Sequence, residues 1–174
     1  MAILPLTKFP NPLLREVSLV VGEIDDDIRR FAQDMLDTMY EEGGVGIAAV
    51  QVGRLLRIAA IDVNYRDGDR EPMIAINPEI VESSDEQSSY DEGCLSVGRY
   101  RGSVSRPARV TVRYIDLEGK ERQIEADGIL ATCLQHEIDH MDGVMFLDHL
   151  TEERRQEILD QLAAEETPAA EGKI

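Results

Sequence analysis

Basic residues are scarce in this chain. Its 174 positions hold 18 Lys and Arg against 35 Asp and Glu, a formal net charge of −17. Nucleic-acid recognition needs clustered cations, and so does attraction to anionic lipid, so this balance argues against both. Cysteine is nearly missing too, with only Cys94 and Cys133. Two thiols in a chain without an export signal fit a reducing compartment, where they serve as ligands or as buried thiols rather than as a disulfide. No apolar run reaches transmembrane length. The start, Met1-Ala2-Ile3-Leu4-Pro5-Leu6, lacks a basic stretch ahead of a sustained apolar one. A cytoplasmic location, with no membrane or nucleic-acid partner, is therefore expected. Internal repeats and linkers are also lacking, so one domain over residues 1–164 is expected, with an acidic frayed tail over 165–174.

What is present reads as α+β. Residues 24–40 place Ile28, Phe31, Met35, Leu36 and Met39 at helical spacing, and Gly43 to Gly46 ends that helix. Residues 57–62 and 73–81 are strand candidates, the second interrupted by Asn77-Pro78 as at an edge or bulge. Residues 83–89 form a polar loop or a short exposed strand. Residues 109–117 and 121–126 flank Glu118-Gly119 as a β-hairpin. A helix follows, with Asp127 placed to cap it and Asp142-Gly143 to stop it. A last helix begins near Thr151. The expected architecture is mostly antiparallel sheet packed around a central helix, with a C-terminal helix behind it.

That central helix carries His136-Glu137-Ile138-Asp139-His140, which holds two of the chain's three histidines. Side chains four apart share one helical face, so both rings can bind one ion while Glu137 serves as general base to a water there. A catalytic site of this kind takes a third protein ligand. A downstream histidine in the metzincin register is excluded, because Phe146 occupies that position and His149 is out of register. Glu152, Glu153 and Glu157 stay open as ligands from the last helix. Cys133 lies seven residues from His140, about 10.5 Å along a helix axis, which suits it better to packing. Cys94, in Glu92-Gly93-Cys94-Leu95-Ser96, is the better thiol, because Gly93 allows close backbone approach.

A third segment, Gly44-Val45-Gly46-Ile47-Ala48-Ala49-Val50-Gln51, nominally fits a dinucleotide fingerprint. It follows a helix and precedes a strand, the reverse of the order that fingerprint needs. A glycine-rich approach to a ligand, ending in the Gln51 amide, and a tight turn leading into an edge strand both remain open.

The three segments together resemble the peptide deformylases, whose motifs G-x-G-[LI]-A-A-x-Q, E-G-C-L-S and Q-H-E-x-D-H stand here as 44–51, 92–96 and 135–140. The opening residues, with Phe9-Pro10-Asn11-Pro12-Leu13-Leu14-Arg15, are similar as well, so the resemblance spans most of residues 1–150. It implies a metallohydrolase that removes the formyl group from N-formylmethionyl nascent peptides. It implies one divalent ion on Cys94, His136 and His140: iron(II) natively, with zinc, nickel or cobalt as alternatives. It also implies Glu137 as the base, and an oxyanion stabilised by the Gln51 amide and the Leu95 backbone N–H. Val45, Gly46, Ile129 and Cys133 would line the pocket for the methionine side chain. Glu92 and Arg106 would pair to hold the Cys94 loop.

Three features depart from the family pattern. Gly98 replaces the usual Pro, which implies a more flexible loop beside the substrate groove. Met141 replaces the common Leu, a volume-conserving change. The C-terminal segment is acidic, so the basic ribosome-docking helix of some relatives has no counterpart here, although transient proximity to the ribosome stays open. A metallopeptidase on the same helix would cleave unformylated peptides, and a purely structural metal module would need neither Gln51 nor Glu137.

Overall fold

The computed structural model describes residues 2–68 and 70–166. Its helices are α1 (Asp26–Glu41), α2 (Gly128–Met141) and α3 (Glu152–Glu166). Its strands are β1 (Gly46–Ala48), β2 (Ile58–Ile61), β3 (Met73–Ser83), β4 (Gln87–Gly93), β5 (Arg101–Pro107), β6 (Arg109–Ile115) and β7 (Glu121–Asp127). Five strands form one antiparallel sheet in the order β1-β2-β3-β6-β7, and β4 and β5 pair separately, also antiparallel.

Strand β2 explains how the layers close. Its four residues are all buried, and alternate side chains leave a strand on opposite faces. Ile58 and Ala60 join Phe31, Met35 and Met39 of α1. Ala59 and Ile61 join Ala131, Leu134, Ile138 and Met141 of α2. The sheet is thus covered by a helix on each face. Helix α1 has one apolar stripe, begins at the Asp25 side chain, which accepts from the Ile28 N–H at 2.9 Å, and ends before Gly43 at φ +70°. Helix α2 is different. Ten of its fourteen residues are buried, so it runs through the interior.

Several expectations need correcting. Asp127 stands at the start of α2, but its side chain makes no capping bond. Strand β5 was not foreseen, whereas β1 is an edge strand entered from a turn, one of the two readings of residues 44–51. Residues 83–89 split into the end of β3, a turn, and the start of a seven-residue β4. The interruption at Asn77 is a bulge within an internal strand: Asn77 sits at φ +50°, and its side chain bonds the Val21 backbone through both amide atoms. Glu165 and Glu166, expected in the tail, are the last residues of α3. The rest of that expected tail, 167–174, lies outside the described residues.

Candidate active site

Three elements converge on one cleft of about 560 Å³. Helix α2 presents His136, Glu137 and Cys133; the turn after β4 presents Cys94 and Leu95; the segment from Gly43 through β1 presents Val45, Gly46 and then Gln51. Ile129 completes the predicted lining, and Glu92, expected only as a support for the Cys94 loop, borders the cleft as well. His140 and Arg106 stand behind it, both buried.

The ligand atoms of Cys94, His136 and His140 all lie within 4.8 Å of one another, the one such metal-capable group among the described residues. Cys94 Sγ is 3.2 Å from His140 Nε2. Glu152, Glu153 and Glu157 are on α3 and belong to no such group. Phe146, at the position of the downstream metzincin ligand, stacks on the His136 ring, with centroids 6.2 Å apart.

The donor set suits a divalent ion. Burial raises the Cys94 thiol, but the neighbouring His140 and His136 outweigh this and pull it well below its ordinary value, toward thiolate. Cys133 goes the other way: burial, then the carboxylates of Glu137 and Glu92, push it well up. Only one of the two thiols is prepared to meet a cation. His136 Nδ1 lies 2.9 Å from Glu92 Oε2, so this nitrogen donates and leaves the Nε2 lone pair for the cluster. A softer thiolate with two imidazoles fits zinc, iron(II), nickel or cobalt.

A buried chain of charge fixes His136. Arg106 Nε and Nη2 donate to the two oxygens of Glu92 at 2.6 and 3.0 Å, while Nη1 donates to Asp139 at 2.8 Å. Burial alone would raise Glu92, yet the bonds from His136 and Arg106 prevail and hold it at about 2. Asp139 also lies 2.8 Å from His149 Nε2. Sequence reasoning missed Asp139 and His149 as members of this chain. The one available signal was an acid three residues after His136, a spacing that puts it beside that histidine on the helix surface.

Glu137 has no such partners. Its Oε2 is buried without a hydrogen bond, and burial pushes its carboxyl up to about 6, with His136 and His140 opposing. A carboxyl poised near neutrality inside a cleft can exchange protons with a substrate. Gly46 makes room for it: a Cβ there would lie 2.4 Å from Glu137 Oε1 and 2.6 Å from Cys133 Sγ.

Gln51 is buried and oriented by its neighbours. Its Oε1 accepts from the Ala48 N–H at 2.8 Å, so its Nε2 must face Cys94 Sγ (3.3 Å) and Ser96 Oγ (3.2 Å). The amide therefore points donors, not its carbonyl, into the site. Gly98, expected to loosen the nearby loop, adopts φ +85°, a conformation closed to proline, whose ring fixes φ near −65°.

Comparison with known proteins matches this geometry. The sequence model of the polypeptide deformylase family matches residues 3–156. The chain is 50% identical over 159 residues to the peptide deformylase of Rhizobium meliloti, covering 91% of each chain. It is 46% identical to that of Brucella suis over 174 residues, covering 100% of this chain and 99% of the other. Among solved structures, the peptide deformylase of Ehrlichia chaffeensis in complex with actinonin superposes with a TM-score of 0.90 at 38% identity, covering 97% of this chain and 100% of that one. On both its site geometry and these similarities, the chain belongs to the polypeptide deformylase family.

Proposed function

We propose that this chain hydrolyses the formyl amide at the N-terminus of N-formylmethionyl nascent peptides, acting as one catalytic domain in the cytoplasm. The observation that carries this reading is the shared cleft. Cys94 and His136 of a Cys-His-His donor set, an unpartnered carboxyl and an oriented amide donor line it, with His140 buried directly behind.

Cys94, His136 and His140 would hold the ion, iron(II) natively, and a divalent ion in that position supplies Lewis acidity to the formyl carbonyl and to the attacking water. Glu137 takes the proton from that water as its oxygen bonds to the formyl carbon. It passes the proton to the amine nitrogen as the C–N bond breaks, leaving formate and a free methionine amino group. Charge developing on the formyl oxygen meets donors already in place. One is the Gln51 Nε2, held by Ala48; the other is the Leu95 backbone N–H, which has no protein acceptor among the described residues. Val45, Gly46, Ile129 and Cys133 line the same cleft and receive the methionine side chain. The high-lying Cys133 thiol is neutral there, as an apolar pocket wall should be.

Glu92 and Arg106 act through His136. Their ion pair fixes its tautomer and its direction. Helix α3 carries more acids than bases, so it offers no cationic surface for docking on the ribosome, and proximity alone would bring enzyme and nascent chain together. No helix among the described residues is long and apolar enough to cross a membrane.

Anaerobic purification, metal analysis and a formate-release assay on formyl-Met-Ala-Ser test this reading together. The expected result is about one equivalent of iron and stoichiometric formate. Cleavage of unformylated peptides without formate release would replace the reading with a metallopeptidase.

A further inference from the structure

Gly98 and Arg101 line the cleft but are outside the groups assigned to bond making. The segment between them leaves the Cys94 turn, where the Val97 and Gly98 N–H groups both donate to the Cys94 carbonyl at 2.9 and 3.0 Å. With Gly98 at φ +85°, this corner has little stiffness of its own. Its rigidity must come from what packs behind it.

Helix α3 packs behind it. Tyr100 Oη donates to Glu165 Oε1 at 2.7 Å, and Arg99 Nη2 reaches the same carboxylate at 2.5 Å. Eleven residues earlier on the helix, roughly 16 Å along its axis, Arg154 donates through Nε and Nη2 to the Arg101 carbonyl at 3.1 and 2.8 Å. Between these two attachments Ile158 is fully buried in the cluster that holds Cys94, Val97 and Tyr100. The helix thus grips both ends of the tripeptide 99–101 and fills the space beneath it.

We propose that α3 is a positioning element for the substrate cleft, with Glu165 and Arg154 as the residues that fix the 98–101 wall for the peptide chain following formyl-methionine. The inference rests on the deformylase reading. Loosening this wall removes contacts made equally before and during bond breaking, so KM should rise while kcat holds. Cys94 begins this turn and the two histidines lie on α2, and neither Glu165 nor Arg154 bonds any of the three, so metal content should stay at the wild-type level.

The test uses the full metal-loaded enzyme and the double variant Glu165→Ala/Arg154→Met, with Gln156→Ala as a control on the same helix whose side chain bonds only Asp160. Amide hydrogen exchange over 98–101 is measured beside KM and kcat on a formyl-Met tripeptide. The expected result is faster exchange confined to that segment and a KM rise of about three- to tenfold, as for lost surface hydrogen bonds. The kcat should stay within about twofold, and Gln156→Ala should match wild type. Unchanged exchange, an unchanged KM, or a fall in kcat accompanied by metal loss would each overturn the proposal. If the wild-type enzyme releases no formate, the deformylase reading fails, while hydrogen exchange still reports whether α3 holds the segment.

Discussion

Gly46→Ala is the change whose consequence follows most directly from the geometry. A Cβ on residue 46 would stand 2.4 Å from Glu137 Oε1 and 2.6 Å from Cys133 Sγ, where ordinary contact begins near 3.4 Å. The residue lies in β1 without a positive φ, so alanine carries no backbone strain and the clash is the whole effect. Relief requires the carboxylate to retreat by about 1 Å. A misplacement of that size in a catalytic group costs on the order of 10²-fold in rate, with an overpacking penalty of about 1–3 kcal/mol in stability. The three atoms nearest the new methyl group belong to Glu137 and Cys133 and none is a metal ligand, so metal content should not change. Formate release with saturating substrate, metal analysis and urea unfolding separate these effects. Adding Cys133→Ala removes one of the two clashes and should restore part of kcat. A Gly46→Ala enzyme that keeps kcat within threefold would refute the claim that this glycine makes room for Glu137.

Arg106→Leu strips the cation from a pair whose side chains are 6% and 4% exposed. Leaving Glu92 and Asp139 without it should cost about 3–5 kcal/mol in urea unfolding and weaken metal retention against a chelator by ten- to a hundredfold, on the order seen for such supporting residues. Asp148→Asn tests a pair remote from the chemistry. Burial alone would raise the Asp148 carboxyl, but Arg15 and the Met145 N–H hold it below its ordinary value. Its contribution is therefore present above the unfolded carboxylate pKa near 4 and lost as pH falls through the lower folded value. The partly exposed pair is worth about 0.5 kcal/mol after screening, so the variant should be less stable by that amount at pH 7 and equal to wild type once pH lies below the folded value. A difference independent of pH would contradict the assignment.

Long periodic elements were legible in the sequence. Helix α1 shows its apolar stripe, and β6 and β7 show their alternation around Glu118-Gly119. Strand β5 was hidden because its inward positions are Gly102, Val104 and Arg106, so period-two hydrophobicity is replaced by a glycine facing Leu150 and a buried arginine. Its partner β4 is equally disguised, with Ser88, Tyr90 and Glu92 at the more protected sites. Helix geometry set Cys133 apart from Cys94, and Cys94 is the thiol that shares a group with the two histidines. It could not show that Asp139 and His149 extend the charge chain behind His136, because that depends on how β5 crosses α2. The Asp127 cap was read from residue type alone, and the side chain makes no bond to the helix start.

Glu137→Ala tests the central claim most directly. The carboxyl is buried without a partner and none of the three ligand atoms belongs to it, so the variant should fold and bind one metal ion as wild type does. Its formate release from formyl-Met-Ala-Ser should fall by about 10³-fold or more, the range for loss of a general base. Turnover within tenfold of wild type with the metal in place would contradict the account.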